Sequence, residues 1–82
     1  MLATVASVTS ANRIKRRVGE MGITSSVIQT PQSLAKDGCG YSLRFEDAAQ
    51  KIISTAAMQL GIKIRAFYTE TLIDGKKIYS KI

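Results

Sequence analysis

The chain has 82 residues, 45% of them hydrophobic, and its 12 Lys and Arg against 6 Asp and Glu give a net charge of +6. This composition is typical of a small globular protein rather than a disordered one. One cysteine and no histidine exclude an internal disulfide and a Cys/His zinc site. No apolar run reaches the length of a transmembrane helix. We therefore expect a soluble, cytoplasmic protein whose charge favours an anionic ligand, an acidic partner protein or nucleic acid.

The first part of the chain combines a short strand with an amphipathic helix. Residues 1–6 are apolar and partly β-branched, which predicts a first strand. Thr9 or Ser10 offers a helix N-cap, and Gly22 offers the left-handed residue that ends many helices. Between them apolar residues recur at helical spacing, while Arg13, Arg16 and Arg17 face solvent. The residues expected to pack on the sheet are Ala11, Ile14, Val18 and Met21.

The second part predicts three more strands and a second helix. Residues 23–30 are typical of a strand that ends at Pro31, and residues 41–45 alternate as a half-buried strand. Residues 62–68 alternate in the same way, with Ile62, Ile64, Ala66 and Tyr68 on one side. Gly61 ends the helix that lies between these two strands. The apolar stripe of this second helix comprises Ala49, Ile52, Ile53, Ala56 and Leu60.

This order of elements predicts an α+β domain. It is typical of a ferredoxin-like βαββαβ two-layer sandwich with a four-stranded antiparallel sheet. Asp74-Gly75 is a strong hairpin dipeptide, so the tail can return as an extra C-terminal edge strand. We expect residues 1–82 to form a single domain, with the core at residues 1–68 and a hairpin extension at residues 69–82.

The only cysteine, Cys39, lies between Gly38 and Gly40, just before the third strand. In a ferredoxin-like sheet the start of this strand lies beside the end of the first strand, where the first helix begins. Free N–H groups and the helix dipole there favour a thiolate and lower the pKa of a cysteine. Without a histidine as base, Cys39 cannot act as a conventional hydrolase nucleophile. It is either a carrier thiol, which can hold sulfur or selenium as a persulfide-type adduct, or a small apolar core residue.

Four dipeptides in residues 8–46 carry a family resemblance: Thr9-Ser10, Gly22-Ile23, Thr30-Pro31 and Cys39-Gly40. With the alternating strand that follows them, the chain resembles a small bacterial family of unknown function labelled selenium/sulfur carrier protein-like. The resemblance implies a carrier or relay of reduced sulfur or selenium, with Cys39 as the carrying residue. It also implies a sulfur- or selenium-handling protein partner. On this view the chain is a carrier rather than a turnover enzyme, and it needs no cofactor and no metal.

The predicted pocket around the thiolate is formed by residues of these motifs. They are Thr9, Ser10, Thr30, Pro31, Gly38 and Gly40.

An alternative is a non-catalytic binding or regulatory module. On the predicted fourth strand Lys63, Arg65 and Phe67 share a face, and Arg44 could join them on the open side of the sheet. Such a face could bind an anion or a nucleic acid, and an exposed Phe67 would suit a homodimer. The aromatic pairs of RNA-binding ferredoxin-like domains are missing, however, so nucleic acid is not the favoured ligand. No membrane contact is expected.

Overall fold

The computed structural model describes residues 1–34 and 40–82. In chain order the elements are β1 (Leu2–Val5), α1 (Val8–Glu20), β2 (Ser25–Gln29), β3 (Tyr41–Phe45), a short 3-10 helix (Asp47–Ala49), α2 (Gln50–Gln59), β4 (Ala66–Ile73) and β5 (Lys76–Lys81). No helix within the two described ranges is both long and apolar enough to cross a membrane.

The five strands form one antiparallel sheet in the order β2-β3-β1-β4-β5. The prediction of an α+β architecture with two helices and an antiparallel sheet is thus confirmed. The sheet has five strands, whereas a strict ferredoxin-like sheet has four. The added strand is the C-terminal one, which forms because Asp74 (φ 50°) and Gly75 (φ 76°) both adopt the left-handed backbone of a two-residue hairpin turn.

Helix α1 begins earlier than predicted. Ser7 is its N-cap: the backbone of Ser7 is extended, and its Oγ accepts a hydrogen bond from the N–H of Ser10 at 3.2 Å. Thr9 and Ser10 lie inside the first turn, so their prediction as N-cap residues is wrong. Three hydroxyl residues within four positions, Ser7, Thr9 and Ser10, offered alternative caps, and the short connection from β1 selects the first of them.

Both helices end at the predicted glycines. Gly22 has φ 86°, and the N–H of Ile23 reaches back to the carbonyl of Val18 at 3.0 Å. Gly61 has φ 70° and ends α2 with the same type of bond. This geometry strongly favours a residue without a Cβ, which is why glycine was an accurate signal.

The core lies between the two helices and one face of the sheet, the helix-side face. Its fully or almost fully buried members are Ala3, Val5, Ala11, Ile14, Val18, Leu43, Phe45, Ala49, Ile53, Ala56 and Ala57. Three of the four core positions predicted on α1 are confirmed. Met21 is the exception, since it follows the last helical residue and is 43% exposed.

The apolar stripe of α2 is shifted relative to the prediction. Ile52 is exposed, and Ala57 takes a buried place that the pattern did not assign. At about 100° per residue, Ala56 and Ala57 lie within about 60° of Ile53 on either side of it, whereas Ile52 lies about 100° away and leaves the buried stripe. The helix presents Ile53 and the small side chains of Ala56 and Ala57.

The predicted register of the fourth strand is wrong. The strand begins at Ala66, and Phe67 pairs with Ala3 on the helix-side face. The ring of Phe67 meets that of Phe45 edge-on, with centroids 6.3 Å apart. Ile62 and Ile64 also pack against the core, but from a segment that precedes the strand. Because the chain changes sides between Ile64 and Phe67, the alternation of residues 62–68 does not continue as one strand.

We expect Ile14→Ala to lower the free energy of unfolding by about 2–5 kcal/mol, because the side chain is fully buried between α1 and the sheet. Urea unfolding monitored by circular dichroism measures this change. Met21→Ala, at the exposed C-cap of this helix, is the control and should change stability by less than about 0.5 kcal/mol. Equal effects of the two substitutions would contradict the helix orientation.

Candidate functional site

Cys39 and Gly38, the centre of the predicted site, lie outside the described residues. The neighbouring residue Gly40 is described, and its position is well defined by contacts. The N–H of Thr30 donates a hydrogen bond to the carbonyl of Gly40 at 2.9 Å. A Cβ on Gly40 would lie 3.4 Å from Oγ1 of Thr30 and 3.8 Å from the carbonyl oxygen of Val5. Gly40 therefore packs between the end of β1 and the end of β2.

Thr30 connects Gly40 to the sheet. Its hydroxyl lies 2.8 Å from the hydroxyl of Ser42, which is completely buried. Sequence reasoning missed Ser42, because a serine that alternates with apolar residues is usually assigned to solvent. The signal that could have identified it is its position. Ser42 lies two residues after Gly40 and is the second residue of β3, a strand with neighbours on both sides.

The first helix starts at this same end of the sheet. Val5, the last residue of β1, pairs with Tyr41, the first residue of β3. Only Ala6 and the N-cap Ser7 lie between β1 and α1, which begins at Val8. Ser7 both caps the helix and donates its hydroxyl to Ser10 Oγ at 3.1 Å. The first N–H groups of a helix have no acceptor in a preceding turn, so this end of α1 presents donors. The predicted meeting of these elements is confirmed.

The remaining predicted pocket residues differ in their surroundings. Thr9 is exposed on α1, and the hydroxyl of Ser10 is engaged by Ser7. Pro31 is half-buried, and its carbonyl accepts the N–H of Leu34 at 2.9 Å in the turn that follows β2. The structure thus brings Thr30 and Gly40 into direct contact and places Ser10 at the nearby helix terminus. Ser7 and Ser42 are polar residues of this region that the sequence pattern did not select.

The second predicted surface, with Arg44, Lys63, Arg65 and Phe67 on one face, is not formed. Arg44 lies opposite Leu2 on the open face of the sheet, whereas Phe67 lies on the helix-side face. Lys63 and Arg65 are exposed and precede β4. The grouping was wrong because it assumed unbroken alternation up to Phe67. A homodimer remains a prediction, but Phe67 is not available to form it.

Arg44 instead takes part in an ion-pair cluster on the open face. Its guanidinium donates a hydrogen bond to Oε2 of Glu70 at 2.9 Å, and the hydroxyl of Tyr79 donates to the same oxygen at 3.2 Å. The ammonium of Lys77 lies 3.5 Å from that oxygen. Burial acts to raise the pKa of Glu70, but the positive charges of Arg44 and Lys77 and the two hydrogen bonds outweigh it, so the pKa lies below its ordinary value.

Comparison with known proteins identifies the family. The family described as "Putative Se/S carrier protein-like" matches residues 1–69 of the 82, and the chain therefore belongs to it. The resemblance inferred from the dipeptide motifs is confirmed. No curated protein matches the chain, and no solved structure matches it. The match ends within β4, so β5 lies outside it.

We expect Glu70→Gln to destabilise the protein at neutral pH and to have little effect in acid. A carboxyl group whose pKa is lowered by folding contributes stability above its unfolded pKa, and this contribution is lost as the pH falls through the folded value. Urea unfolding of both proteins across the acid range should show the two stabilities converging at low pH. Glu46→Gln, which changes an exposed carboxylate, is the control. A difference that is independent of pH would contradict the electrostatic role of Glu70.

We expect Thr30→Val to cost about 1–3 kcal/mol of stability, because the buried hydroxyl of Ser42 loses its partner. Adding Ser42→Ala should recover part of that loss, since the double variant leaves no unpaired buried hydroxyl. A double-mutant cycle by chemical denaturation measures the coupling. Thr71→Val, on the exposed part of β4, is the control with the same change of side chain. Strict additivity of the two site substitutions would show that the hydroxyls do not interact.

Proposed function

We propose that the protein carries reduced sulfur or selenium as an adduct on Cys39 and passes it to a second protein. Membership of the carrier-like family over residues 1–69 supports the general function. The observation that supports the role of Cys39 is the position of Gly40, to which it is joined by one peptide bond.

The surroundings of Gly40 suit a thiolate. Gly40 lies beside the end of β1, and α1 starts just beyond that strand end. Consecutive Cα atoms are about 3.8 Å apart, so the proposal puts the thiol in this neighbourhood. The free N–H groups and the positive end of the dipole of a 13-residue helix favour an anion. In the proposed site, the first turn supplies these donors: Thr9 offers its N–H, and Ser10, whose N–H is held by Ser7 Oγ, offers its hydroxyl. Thr30, Pro31, Gly38 and Gly40 shape the approach to the sulfur.

The proposed transfer needs no oxidant, because it exchanges one sulfur–sulfur bond for another. The thiolate of Cys39 attacks the outer sulfur of a donor persulfide; a new bond forms between Sγ and that sulfur, and the donor leaves as a thiolate. An acceptor thiolate then attacks the outer sulfur, and Cys39 leaves as a thiolate. With selenium in place of the outer sulfur, the adduct is a selenenyl sulfide. Donor and acceptor would be sulfur- or selenium-handling proteins.

We also propose that residues 1–82 form one domain, a ferredoxin-like sandwich with an added strand. The order β2-β3-β1-β4 supports this assignment, since β1 and β3 form the central pair, β2 and β4 flank it, and each helix follows a strand of that pair. In this arrangement β5 extends the sheet beside β4 without changing the positions of β1 and β3.

We expect the native protein to gain the mass of one sulfur atom when it is incubated with a small persulfide donor, and to lose it on treatment with a thiol reductant. Intact-mass spectrometry measures the gain, and Cys39→Ser should show none. Because the helix terminus favours the anion, we also expect the rate of alkylation of Cys39 to reach half of its maximum at a pH below about 8.5, the pKa of a free cysteine.

The wild-type protein unfolded in urea is the control for reactivity, since its thiol lacks the folded surroundings. If Cys39 reacts with the alkylating agent and the persulfide donor only after unfolding, it is a core residue and the carrier function is wrong. Circular dichroism of Cys39→Ser should match the wild type, which separates loss of the thiol from loss of the fold.

A further inference from the structure

The β4–β5 hairpin carries a large part of the exposed apolar surface of the described residues. Leu72, Ile73, Ile78 and Ile82 are 68%, 53%, 45% and 64% exposed. Ile73, Ile78 and Ile82 share the helix-side face of the sheet, to judge from their pairing with β4. Neither helix makes an extended contact with β5 within the described ranges. The apolar face of this strand is therefore uncovered.

The outer edge of β5 also has unpaired main-chain groups. The N–H of Ile82 donates to the carbonyl of Phe67 at 3.0 Å, so Ile82 and Phe67 face each other as a hydrogen-bonded pair. In an antiparallel ladder such pairs alternate with pairs that point their main-chain groups away from each other. The N–H and C=O groups of Lys77, Tyr79 and Lys81 thus point outward, away from β4. They form three donor–acceptor positions along the edge of the sheet.

The side chains of β5 make this edge basic. Lys76, Lys77 and Lys81 lie on a strand of six residues that contains no acidic residue. Of these, Lys77 approaches Glu70 on the neighbouring strand. Lysines on an edge strand disfavour pairing with a second copy, because like charges would come together. A phosphate chain would complement the lysines but would leave the exposed isoleucines uncovered. A protein segment that is both acidic and apolar complements the lysines and the isoleucines.

We propose that β5 binds an extended acidic segment of a partner protein, which adds to the sheet as a sixth strand. The incoming strand would pair with the outward groups of Lys77, Tyr79 and Lys81. Its carboxylates would lie opposite Lys76, Lys77 and Lys81, and its apolar side chains opposite Ile78 and Ile82. For an antiparallel strand, this pattern reads, from the N-terminus, Val-Glu-Thr-Thr-Val-Glu-Glu.

This binding edge is independent of the proposed carrier function. Strand β5 lies outside the residues that match the family, and no step at Cys39 involves it. Either proposal can therefore fail while the other holds.

The test is a nuclear magnetic resonance titration of the isotope-labelled protein with a peptide of that sequence, acetylated and amidated at its ends. We expect amide shifts to be largest at Lys77, Tyr79 and Lys81 and to be small on α1 and β2. N-methylation of the fourth peptide residue, which faces Tyr79, should abolish binding because it removes a ladder hydrogen bond. N-methylation of the third residue, whose N–H points away from β5, should leave most of the affinity.

Charge variants of the protein provide a second comparison. Lys76→Glu/Lys81→Glu should weaken binding about tenfold, whereas Lys15→Glu/Arg16→Glu, with the same change in net charge on α1, should have little effect. Equal weakening by both pairs would reduce the interaction to net charge and overturn the proposal. So would equal tolerance of the two N-methylated peptides.

Two further results would assign the edge to a different occupant and overturn the proposal. If the β5 amide shifts depend on protein concentration without peptide, a second copy occupies the edge. If a single-stranded oligonucleotide shifts these amides and the peptide does not, the edge binds nucleic acid.

Discussion

The structure depends on a central strand of only four residues, β1, that is buried on both faces. All four of its residues are buried, and it pairs with β3 on one side and with β4 on the other. Ala3 and Val5 face the helices, and Leu2 and Thr4 face the other side of the sheet. Because β1 is short and fully enclosed, its register with β3 decides where every later element lies. The pairing of Val5 with Tyr41 brings the ends of β1 and β2 and the start of β3 together beside the start of α1.

Burial of Leu2 on the open face also explains why Arg44 does not belong to the predicted basic surface. Neither of the helices in residues 1–34 and 40–82 covers this face, yet Leu2 is completely buried. The ion pair between Arg44 on β3 and Glu70 on β4 spans β1 next to Leu2, so the aliphatic part of Arg44 can shield it. An arginine held in this way is partly neutralised. It contributes to the sheet, and it is a poor candidate for binding an anion.

Local signals in the sequence were accurate where one residue type has a unique backbone role. Gly22, Gly61 and the Asp74-Gly75 turn have the left-handed backbone that their residue types predict. The inward positions Ile14, Val18 and Ile53 followed from helical spacing. Where several neighbours could serve equally well, the choice was made by the rest of the fold. Ser7 rather than Ser10 caps α1 for this reason, because the tight connection after β1 fixes the first helical residue.

The errors on β4 and at the candidate site share a cause. A local pattern of alternation shows neither where the chain changes sides nor which distant residue covers a given side chain. Apolar and basic residues alternate over residues 62–66, but the chain changes sides before the strand starts, and extending the alternation to residue 68 reversed the predicted position of Phe67. At the site, alternation placed Ser42 in solvent, although its hydroxyl is buried against Thr30. Both depend on contacts with strands distant in sequence, Ala3 in one case and Thr30 in the other. Such contacts cannot be read from a window of a few residues.

The position of β5 in the sheet separates its proposed binding edge from the proposed carrier site. Two strand spacings, each about 4.8 Å, separate β5 from β1 across the sheet, and β5 pairs with the part of β4 that lies at and beyond Leu2, whereas Gly40 lies near Val5 at the other end of β1. The C-terminal half of β5 runs beside Tyr68 and Thr69, near the level at which β4 pairs with β1. A segment added to this edge would lie toward the start of β1 and beyond it, away from the end of the sheet where α1 begins and Gly40 lies. In the two proposals, the added strand therefore supplies affinity for a partner at a position that does not overlap the carrier site.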